Sequence, residues 1–183
     1  TAEIVDAVAD ALALYPDVPV VLDPVMIATS GAKLLDDDAL GALRTLLIPR
    51  ARVLTPNLPE AELLLGRRIA AGADAEAALA ALRALGAHGV LLKGGHLDEG
   101  DEVVDRYADT DAAFAHRAPR LDIDGHGTGC TLSSAIAARL ALGDDAATAC
   151  RAGIDYVHRA MGDAYRPGRS AVSVLGHLGP IAR

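Results

Sequence analysis

The chain has 183 residues, of which 51% are apolar and 23% are charged, as is ordinary for a folded domain with a substantial core. Its 17 basic and 25 acidic side chains give a formal net charge of −8, which disfavours a nucleic-acid partner because a polyanion is repelled. No apolar run is long enough to predict a membrane span. The two cysteines, Cys130 and Cys150, do not suggest a disulfide framework, so we expect a reducing, cytoplasmic compartment.

Predicted helices and strands alternate from the first residue onward. The hydrophobic pattern predicts helices at 1–15, 36–47, 58–65, 74–85, 128–142 and 146–164. It predicts buried strands at 18–23, 52–55 and 89–93, and a hairpin formed by 102–107 and 112–117. No repeat, low-complexity tract or linker interrupts the pattern, so we interpret the chain as one domain. Alternation of this kind predicts an α/β sandwich with a mostly parallel sheet.

Polar or glycine-rich segments follow apolar strands or loops at several places in the chain. Parallel α/β sheets bind their ligands beyond the carboxyl ends of the strands. At such positions the sequence has Asp23, residues 55–60, residues 93–96 and residues 125–130. We therefore expect these segments to converge on one ligand site.

Alternating glycines make residues 124–131 the strongest local signal. Gly125, Gly127 and Gly129 let the backbone turn sharply and approach a ligand, and the helix predicted after them points free N–H groups at the same place. Together they would form an anion hole suited to a phosphoryl group in transfer. The segment is neither a Walker A loop nor a dinucleotide fingerprint, which would have glycine where Cys130 stands. The alternative is a turn before a core helix.

Each of the other candidate residues has a functional and a structural interpretation. Asn57 and Glu60 supply an amide oxygen and a carboxylate that can hold Mg²⁺ through its waters, or they form a capping box at a helix start. Asp23 faces the ligand side of the sheet, or it forms a turn before proline. Lys93 can neutralise nucleotide phosphates, or it extends its ammonium group from a strand end into water. The acidic residues 36–38 favour a helix start over a metal site.

Residues 127–130, Gly-Thr-Gly-Cys, resemble the anion-hole motif of the ribokinase-like superfamily, in which the fourth position is usually Asp, the catalytic base. Cysteine at that position is similar to the phosphomethylpyrimidine kinases. The stretches that agree with this family in order and spacing are residues 20–26, 54–64, 91–96 and 176–180. The resemblance therefore covers essentially the whole chain.

The resemblance implies a ribokinase-like three-layer α/β/α sandwich that uses ATP and Mg²⁺ to phosphorylate a small-molecule pyrimidine, with a homodimer as a further expectation. Residues 1–183 would be the C-terminal nucleotide-binding and catalytic portion of one kinase domain, without its N-terminal strands. We therefore expect weak or no kinase activity from the chain alone, and an unpaired sheet edge or an exposed apolar face. The alternatives are a pyridoxal kinase of the same superfamily and a nucleotide-binding module without catalysis.

The resemblance also implies a role for individual residues, carried over position by position. Catalytic roles fall to Lys93, Gly127, Thr128, Gly129 and Cys130. The residues that would contact ATP are Lys93, Thr55, Asn57, Gly125 and Thr128. The residues that would hold the metal are Asp23, Asn57 and Glu60. The residues that would contact the acceptor are Val25, Met26 and Cys130.

Cysteine in place of aspartate at residue 130 has a chemical interpretation. A hydroxymethyl acceptor needs help to lose its proton, whereas a phosphate acceptor, with a second pKa of about 6, does not. A carboxylate would repel a dianionic acceptor, and a thiol, whose pKa is about 8.5 before any lowering at a helix N-terminus, would not. We therefore hypothesise that Cys130 makes the site compatible with phosphorylating a phosphate. The alternative is a buried small apolar side chain, which is also our interpretation of Cys150.

Overall fold

A computed structural model describes residues 1–26, 34–70, 72–121, 123, 127–169 and 172–179. Its α-helices are α1 Ala2–Ala13, α2 Asp37–Ala42, α3 Leu58–Leu65, α4 Ala73–Arg83, α5 Thr128–Ala141 and α6 Ala146–Gly162. It also has a π-helical turn at Leu43–Leu47 and 3-10 turns at Ile48–Arg50 and Gly94–His96. Its strands are β1 Val21–Leu22, β2 Val53–Leu54, β3 Gly89–Leu92, β4 Glu102–Ala108 and β5 Ala113–Pro119. Every predicted helix and strand is present in the predicted order.

The five strands form one sheet in the order β1-β2-β3-β4-β5. Strands β1, β2 and β3 run parallel, so that Val53 lies opposite both Val21 and Gly89. Strands β4 and β5 form the predicted hairpin, and β4 pairs antiparallel with β3. The carboxyl ends of the three parallel strands therefore meet at one edge of the sheet, where predicted site residues follow each strand.

Helices cover both faces of this sheet. Leu91 packs into the core shared with α5 and α6, whereas its neighbours Val90 and Leu92 pack into the core shared with α1 to α4. All three side chains are fully buried. Successive residues of a strand face opposite sides of a sheet, and here each side meets a helical layer. The α/β/α sandwich predicted from the sequence is therefore confirmed.

The layer formed by α5 and α6 is closely packed because of Gly153. A Cβ added at this position would lie 2.8 Å from Cγ1 of Ile136 and 3.3 Å from Cδ1 of Leu132, both in α5. Cys150 is fully buried in the same layer, which confirms its interpretation as a core side chain. Burial raises the pKa of the Cys150 thiol to about 12, so this cysteine stays protonated and unreactive.

The acidic residues before α2 form a helix start, as the sequence analysis favoured. Asp36 is the N-cap, and its Oδ1 accepts a 2.7 Å hydrogen bond from the backbone N–H of Ala39. Asp37 and Asp38 stand in the first turn, where carboxylates complement the positive end of the helix dipole. The far end of α2 differs from the prediction, because the helix widens into a π-helical turn around Thr45, whose hydroxyl donates to the carbonyl oxygen of Gly41 at 3.0 Å.

Strand β1 is shorter than the predicted strand 18–23. Proline at positions 19 and 24 has no N–H to donate, and these two residues flank the paired segment. Backbone bonding nevertheless extends one residue further, since the carbonyl oxygen of Val20 accepts from Arg52 N–H at 2.8 Å. The strand therefore still delivers Asp23 to the ligand edge of the sheet.

Strand β1 forms one end of the sheet, and no described strand pairs with its outer edge. The adjacent helix α1 and the turn after it expose Ile4, Val8 and Tyr15, which are 64%, 42% and 62% exposed. The free edge and the apolar face expected from the sequence are thus both found among the described residues. None of the described helices combines the length and the apolar character needed to cross a bilayer.

Candidate active site

Lys93 lies at the centre of the ligand edge of the sheet. Its Nζ donates to Asp23 Oδ1 at 2.9 Å and lies 3.9 Å from Glu60 Oε2. The Lys93, Asp23 and Glu60 side chains are 15%, 13% and 3% exposed, so the three charges are largely shielded from bulk water. Three predicted site residues, which follow three different strands, therefore meet in one cluster.

Asn57 and Glu60 form a complete capping box at the start of α3. Asn57 Oδ1 accepts from Glu60 N–H at 2.9 Å, and Glu60 Oε2 accepts from Asn57 N–H at 2.7 Å. Burial raises the pKa of the Glu60 carboxyl, against the opposing effects of the Asn57 hydrogen bond and the Lys93 charge. The structural interpretation of this pair is confirmed, and the same hydrogen bonds fix the Glu60 carboxylate beside Lys93.

The N-terminal tip of α5 lies against the Lys93 cluster. A Cβ added to Gly129 would lie 3.2 Å from Lys93 Nζ and 3.6 Å from Asp23 Oδ2, so the tip of α5 closely approaches both charged groups. Gly127 is the N-cap in a left-handed conformation with φ 84°, and no side chain caps the helix there. The first backbone N–H groups of α5 therefore have no partner within the helix. Gly125 lies outside the described residues.

Thr55 lies below Asp23 and is fully buried. Its hydroxyl group is 3.0 Å from Ser133 Oγ and 3.4 Å from both Asp23 Oδ1 and the carbonyl oxygen of Leu22. Its contacts are therefore with the site residue Asp23 and with the buried Ser133, and its predicted contact with ATP stays a prediction. Ser133 was not among the predicted site residues. It stands one helical turn after Gly129, and its importance becomes visible only through its contacts with Thr55 and Gly129 in the folded structure.

The three residues predicted to contact the acceptor differ in their exposure to solvent. Cys130 is exposed, so the alternative of a buried small side chain is excluded. It stands at one end of an open groove of about 860 Å³ that runs between α5 and α6 toward His177. Val25 is 44% exposed, whereas Met26 is 2% exposed and packs in the core. Of this set, Cys130 and Val25 are open to a ligand.

A smaller apolar pocket of about 280 Å³ opens beside Gly95, between the β4–β5 hairpin and α6. Its apolar walls are formed by Val103, Ala118, Pro119, Leu121, Ile123, Leu132, Ile154, Val157 and Met161. Asp105, Arg120 and His158 supply its polar groups. Sequence reasoning missed this pocket because its walls come from segments that are far apart in the chain.

The described residues include no cluster of three or more His, Cys, Asp or Glu side chains that could hold a metal ion by themselves. Asp23 and Glu60 are two converging carboxylates, and they face the α5 tip across Lys93. Magnesium in kinases is commonly bound by one or two carboxylates together with substrate phosphates and water. The residues present therefore fit a cation that arrives with a nucleotide.

Asp105 in β4 holds the turn that follows Lys93. Its Oδ1 accepts a 2.8 Å hydrogen bond from Gly94 N–H. Burial raises the pKa of the Asp105 carboxyl, and this effect exceeds those of the hydrogen bond and of nearby positive charges. A carboxyl with a raised pKa contributes stability that is complete below its ordinary value of 3.8 and is lost as the pH rises through the raised value.

The variant Asp105→Asn keeps an oxygen acceptor for Gly94 and does not titrate. We expect the difference in Tm between this variant and the wild type to become more positive between about pH 3.5 and about pH 7, as measured by circular dichroism. Asp111→Asn, which changes an exposed carboxylate in the β4–β5 turn, is the matched control and should show no such trend. If the difference in Tm between Asp105→Asn and the wild type did not change with pH, the raised pKa of the Asp105 carboxyl would be contradicted.

The sandwich and the cluster around Lys93 define the chain as an α/β protein of the ribokinase-like class. The phosphomethylpyrimidine kinase family matches residues 1–175, and the chain belongs to this family. It is 48% identical over 167 residues to the hydroxymethylpyrimidine/phosphomethylpyrimidine kinase of Rhizobium meliloti (strain 1021), an alignment that covers 90% of this chain and 62% of the relative.

Two solved structures show the same fold. The ADP complex of Bacillus subtilis pyridoxal kinase has a TM-score of 0.86 and 31% identity, and the match covers 97% of this chain and 67% of that one. The phosphomethylpyrimidine kinase of Clostridium difficile 630 has a TM-score of 0.74 and 35% identity, covering 86% of this chain and 64% of that one. The chain spans less than two thirds of the length of two of its curated relatives, 62% for the Rhizobium protein and 64% for that of Streptomyces coelicolor.

Proposed function

We propose that this chain carries the nucleotide-binding and phosphoryl-transfer site of a Mg·ATP-dependent kinase. Its acceptors are hydroxymethylpyrimidine and then the resulting monophosphate, as in thiamine biosynthesis. The observation that carries the proposal is the meeting of an ammonium group, two carboxylates and an uncapped helix tip at one cleft. This combination suits a group that is rich in negative charge and is transferred rather than permanently held.

Positive charge for the phosphates comes from Lys93 and from the tip of α5. The Lys93 ammonium is held at 2.9 Å by Asp23, so its position is set before a ligand binds. The N–H groups of Thr128, Gly129 and Cys130 add the positive end of the helix dipole. Lys93 and the tip would contact the same phosphoryl group, because the ammonium lies 3.2 Å from the place that a Cβ of Gly129 would occupy.

Asp23 and Glu60 are the residues that would hold Mg²⁺, directly or through water, with Asn57 beside them. Bound there, Mg²⁺ would neutralise charge on the phosphates and fix their geometry. The capping box orients the Glu60 carboxylate, and the Thr55 hydroxyl lies against Asp23. The metal-binding residues are thus supported by neighbours that do not themselves need to reach the ligand.

The apolar pocket beside Gly95 is the place where we propose that the base of ATP lies. Gly95 follows Lys93 by two residues, so a nucleotide with its phosphates at Lys93 would have its base within reach of this pocket. The side chains of Ile123, Val157 and Met161 offer apolar surface to a flat ring. Predominantly apolar walls with a few polar groups are typical of small-molecule sites.

The test of this function is binding and turnover by the purified chain. Isothermal titration calorimetry should show ADP binding that is strengthened by Mg²⁺, and ADP release from ATP should depend on the pyrimidine acceptor. Turnover is expected to be weak, because the chain spans only 62% and 64% of the length of the Rhizobium meliloti and Streptomyces coelicolor relatives. Absence of nucleotide binding would contradict the kinase function, and Mg²⁺-dependent binding without transfer would support the alternative of a nucleotide-binding module.

Cys130 is proposed to stand beside the acceptor. Cys130→Asp should lower transfer to the phosphorylated pyrimidine by about tenfold or more relative to transfer to the hydroxymethyl form, because a carboxylate repels a dianionic acceptor. The ratio of the two initial rates measures this effect independently of overall activity. Cys130→Ser, which keeps a neutral group, should leave the ratio close to that of the wild type. Full activity of Cys130→Asp on the phosphorylated acceptor would remove the argument.

A second candidate function is pyridoxal phosphorylation. The specific observation that favours it is the fit to Bacillus subtilis pyridoxal kinase, whose TM-score of 0.86 exceeds the 0.74 for the Clostridium difficile phosphomethylpyrimidine kinase. Identity to the Rhizobium meliloti protein, at 48%, favours the pyrimidine instead. Competition between pyridoxal and hydroxymethylpyrimidine in the same ADP-release assay separates the two acceptors.

A further inference from the structure

Two buried hydroxyl groups connect the residues proposed to hold the metal with the tip of α5. Thr55 Oγ1 lies 3.4 Å from Asp23 Oδ1 and 3.0 Å from Ser133 Oγ. Ser133 Oγ in turn donates to the carbonyl oxygen of Gly129 at 3.1 Å. Thr55 is fully buried and Ser133 is 9% exposed, so neither hydroxyl is readily rehydrated if a partner is lost. The contact between them joins residues that are 78 positions apart in the chain.

Each hydroxyl group has one hydrogen, so the hydroxyl that donates across the Thr55–Ser133 contact cannot also donate to its other partner. If Thr55 donates to Ser133, then Ser133 donates to Gly129 and Asp23 receives nothing from Thr55. If Ser133 donates to Thr55, then Thr55 can donate to Asp23 or to the carbonyl oxygen of Leu22, both at 3.4 Å, and the Gly129 carbonyl loses its hydrogen bond from Ser133. The shorter distance, 3.1 Å to Gly129 against 3.4 Å to Asp23, favours the first direction in this structure. The two ends therefore compete for the same pair of hydrogens.

The Gly129 carbonyl matters because it belongs to the same peptide plane as the Cys130 N–H. A peptide unit is planar, so a hydrogen bond that orients the Gly129 oxygen also orients the Cys130 N–H on the opposite side of the unit. That N–H is one of the groups proposed above to meet the transferred phosphoryl group. A change of charge at Asp23 thus biases the direction of the hydroxyl pair, and through it the α5 tip.

We propose that Ser133 is a positioning residue which, together with Thr55, couples the cation-binding carboxylate Asp23 to the phosphate-binding tip of α5. The inference rests on the proposed function. It goes beyond that function because it states that the hydroxyl groups of Ser133 and Thr55 cause Mg²⁺ and the nucleotide to strengthen each other's binding. By reciprocity, each ligand strengthens the other by the same factor.

The measurement is the coupling factor of each variant and of the wild type, defined as the Kd for ADP in EDTA divided by the Kd for ADP in saturating Mg²⁺, both obtained by calorimetry. Ser133→Ala and Thr55→Val should each lower this factor about threefold or more, and the double variant should lower it little further because both break the same connection. Thr55→Ser keeps the hydroxyl group and should retain the wild-type factor. A role in packing alone would instead weaken ADP binding equally with and without Mg²⁺.

Two matched controls test whether the loss of any hydroxyl group, rather than loss of the Thr55–Ser133 contact, changes the coupling factor. Ser134→Ala removes a hydroxyl from the neighbouring exposed position of α5. Thr45→Val removes an exposed hydroxyl that also bonds a carbonyl four residues earlier, that of Gly41. Both should retain the wild-type coupling factor.

The outcomes distinguish this inference from the proposed function. If the wild-type chain shows coupling and the variants Ser133→Ala and Thr55→Val retain the same coupling factor, the inference is overturned and the proposed function is not. A wild-type chain that binds no ADP overturns the proposed function and the inference with it. If Ser133→Ala does not fold, the comparison of Thr55→Val with Thr55→Ser decides the question.

Discussion

Replacement of Lys93 by methionine is expected to weaken ADP binding by about a hundredfold. The ammonium group is the positive side chain that the structure places against both the carboxylates and the α5 tip, at 2.9 Å from Asp23 and 3.9 Å from Glu60. Its removal eliminates an attraction and also leaves two shielded carboxylates facing the phosphates. The loss should therefore exceed that of an exposed charge, whose contribution is screened by water and salt.

Calorimetric titration with ADP measures this effect after circular dichroism has confirmed that the variant folds. Arg139→Met is the matched control, because it removes a cation paired with Asp144 near the far end of α5. It should change the Kd for ADP less than twofold, an effect within the range of exposed charges. In EDTA, where Asp23 has no metal to hold, the double variant Lys93→Met with Asp23→Asn should recover part of the affinity, since one of the repelling carboxylates is gone. Unchanged ADP binding by Lys93→Met would contradict the assignment of the site.

Replacement of Gly94 by alanine is expected to destabilise the fold by about 3 kcal/mol. The added Cβ would lie 2.2 Å from the carbonyl oxygen of Val104 and 2.6 Å from its carbonyl carbon. These are backbone atoms of β4, so no side-chain rotation can relieve the contact. The turn after Lys93 and strand β4 would have to separate, and the hydrogen bond from Gly94 N–H to Asp105 would lengthen.

Gly95→Ala is the matched control for this prediction. A Cβ added at Gly95 meets nothing within 4 Å, so its effect on stability should stay within about 0.5 kcal/mol. Unfolding in guanidinium chloride, followed by circular dichroism, gives both free energies from the same baseline. Equal losses in the two variants would show that the close approach of Gly94 to Val104 does not limit stability.

The order and type of the elements could be predicted because they depend on local signals. Helix α3 begins after Asn57 and ends before Gly66, as predicted, since a capping box and a left-handed glycine mark its ends within the sequence. The length of strand β1 was overestimated because the apolar run includes Pro19. Proline has no N–H to donate to a neighbouring strand. The π-helical turn at Leu43–Leu47 has no comparable local signal.

Site residues that directly follow a strand could be predicted from the sequence. Residues that support the site through a hydrogen bond to another residue could not. Asp23 and Lys93 were identified because parallel strands deliver their carboxyl ends to one edge. Ser133 and Asp105 were missed, because a serine inside a helix and an aspartate inside a hairpin have no distinctive pattern. Their partners, Thr55 for Ser133 and Gly94 for Asp105, become neighbours only when distant segments pack together.

The missing side chain of Gly153 governs how the ligand-binding tip is held. Because Ile136 fills the space that a Cβ would need, α5 and α6 interlock, and neither helix can slide along or roll over the other without a collision. The two helices should consequently move as a single unit, and their packing against the sheet also holds the end of α5 that meets the ligand. Little rearrangement is then left to occur upon arrival of a nucleotide, and the entropy lost at that moment is correspondingly small.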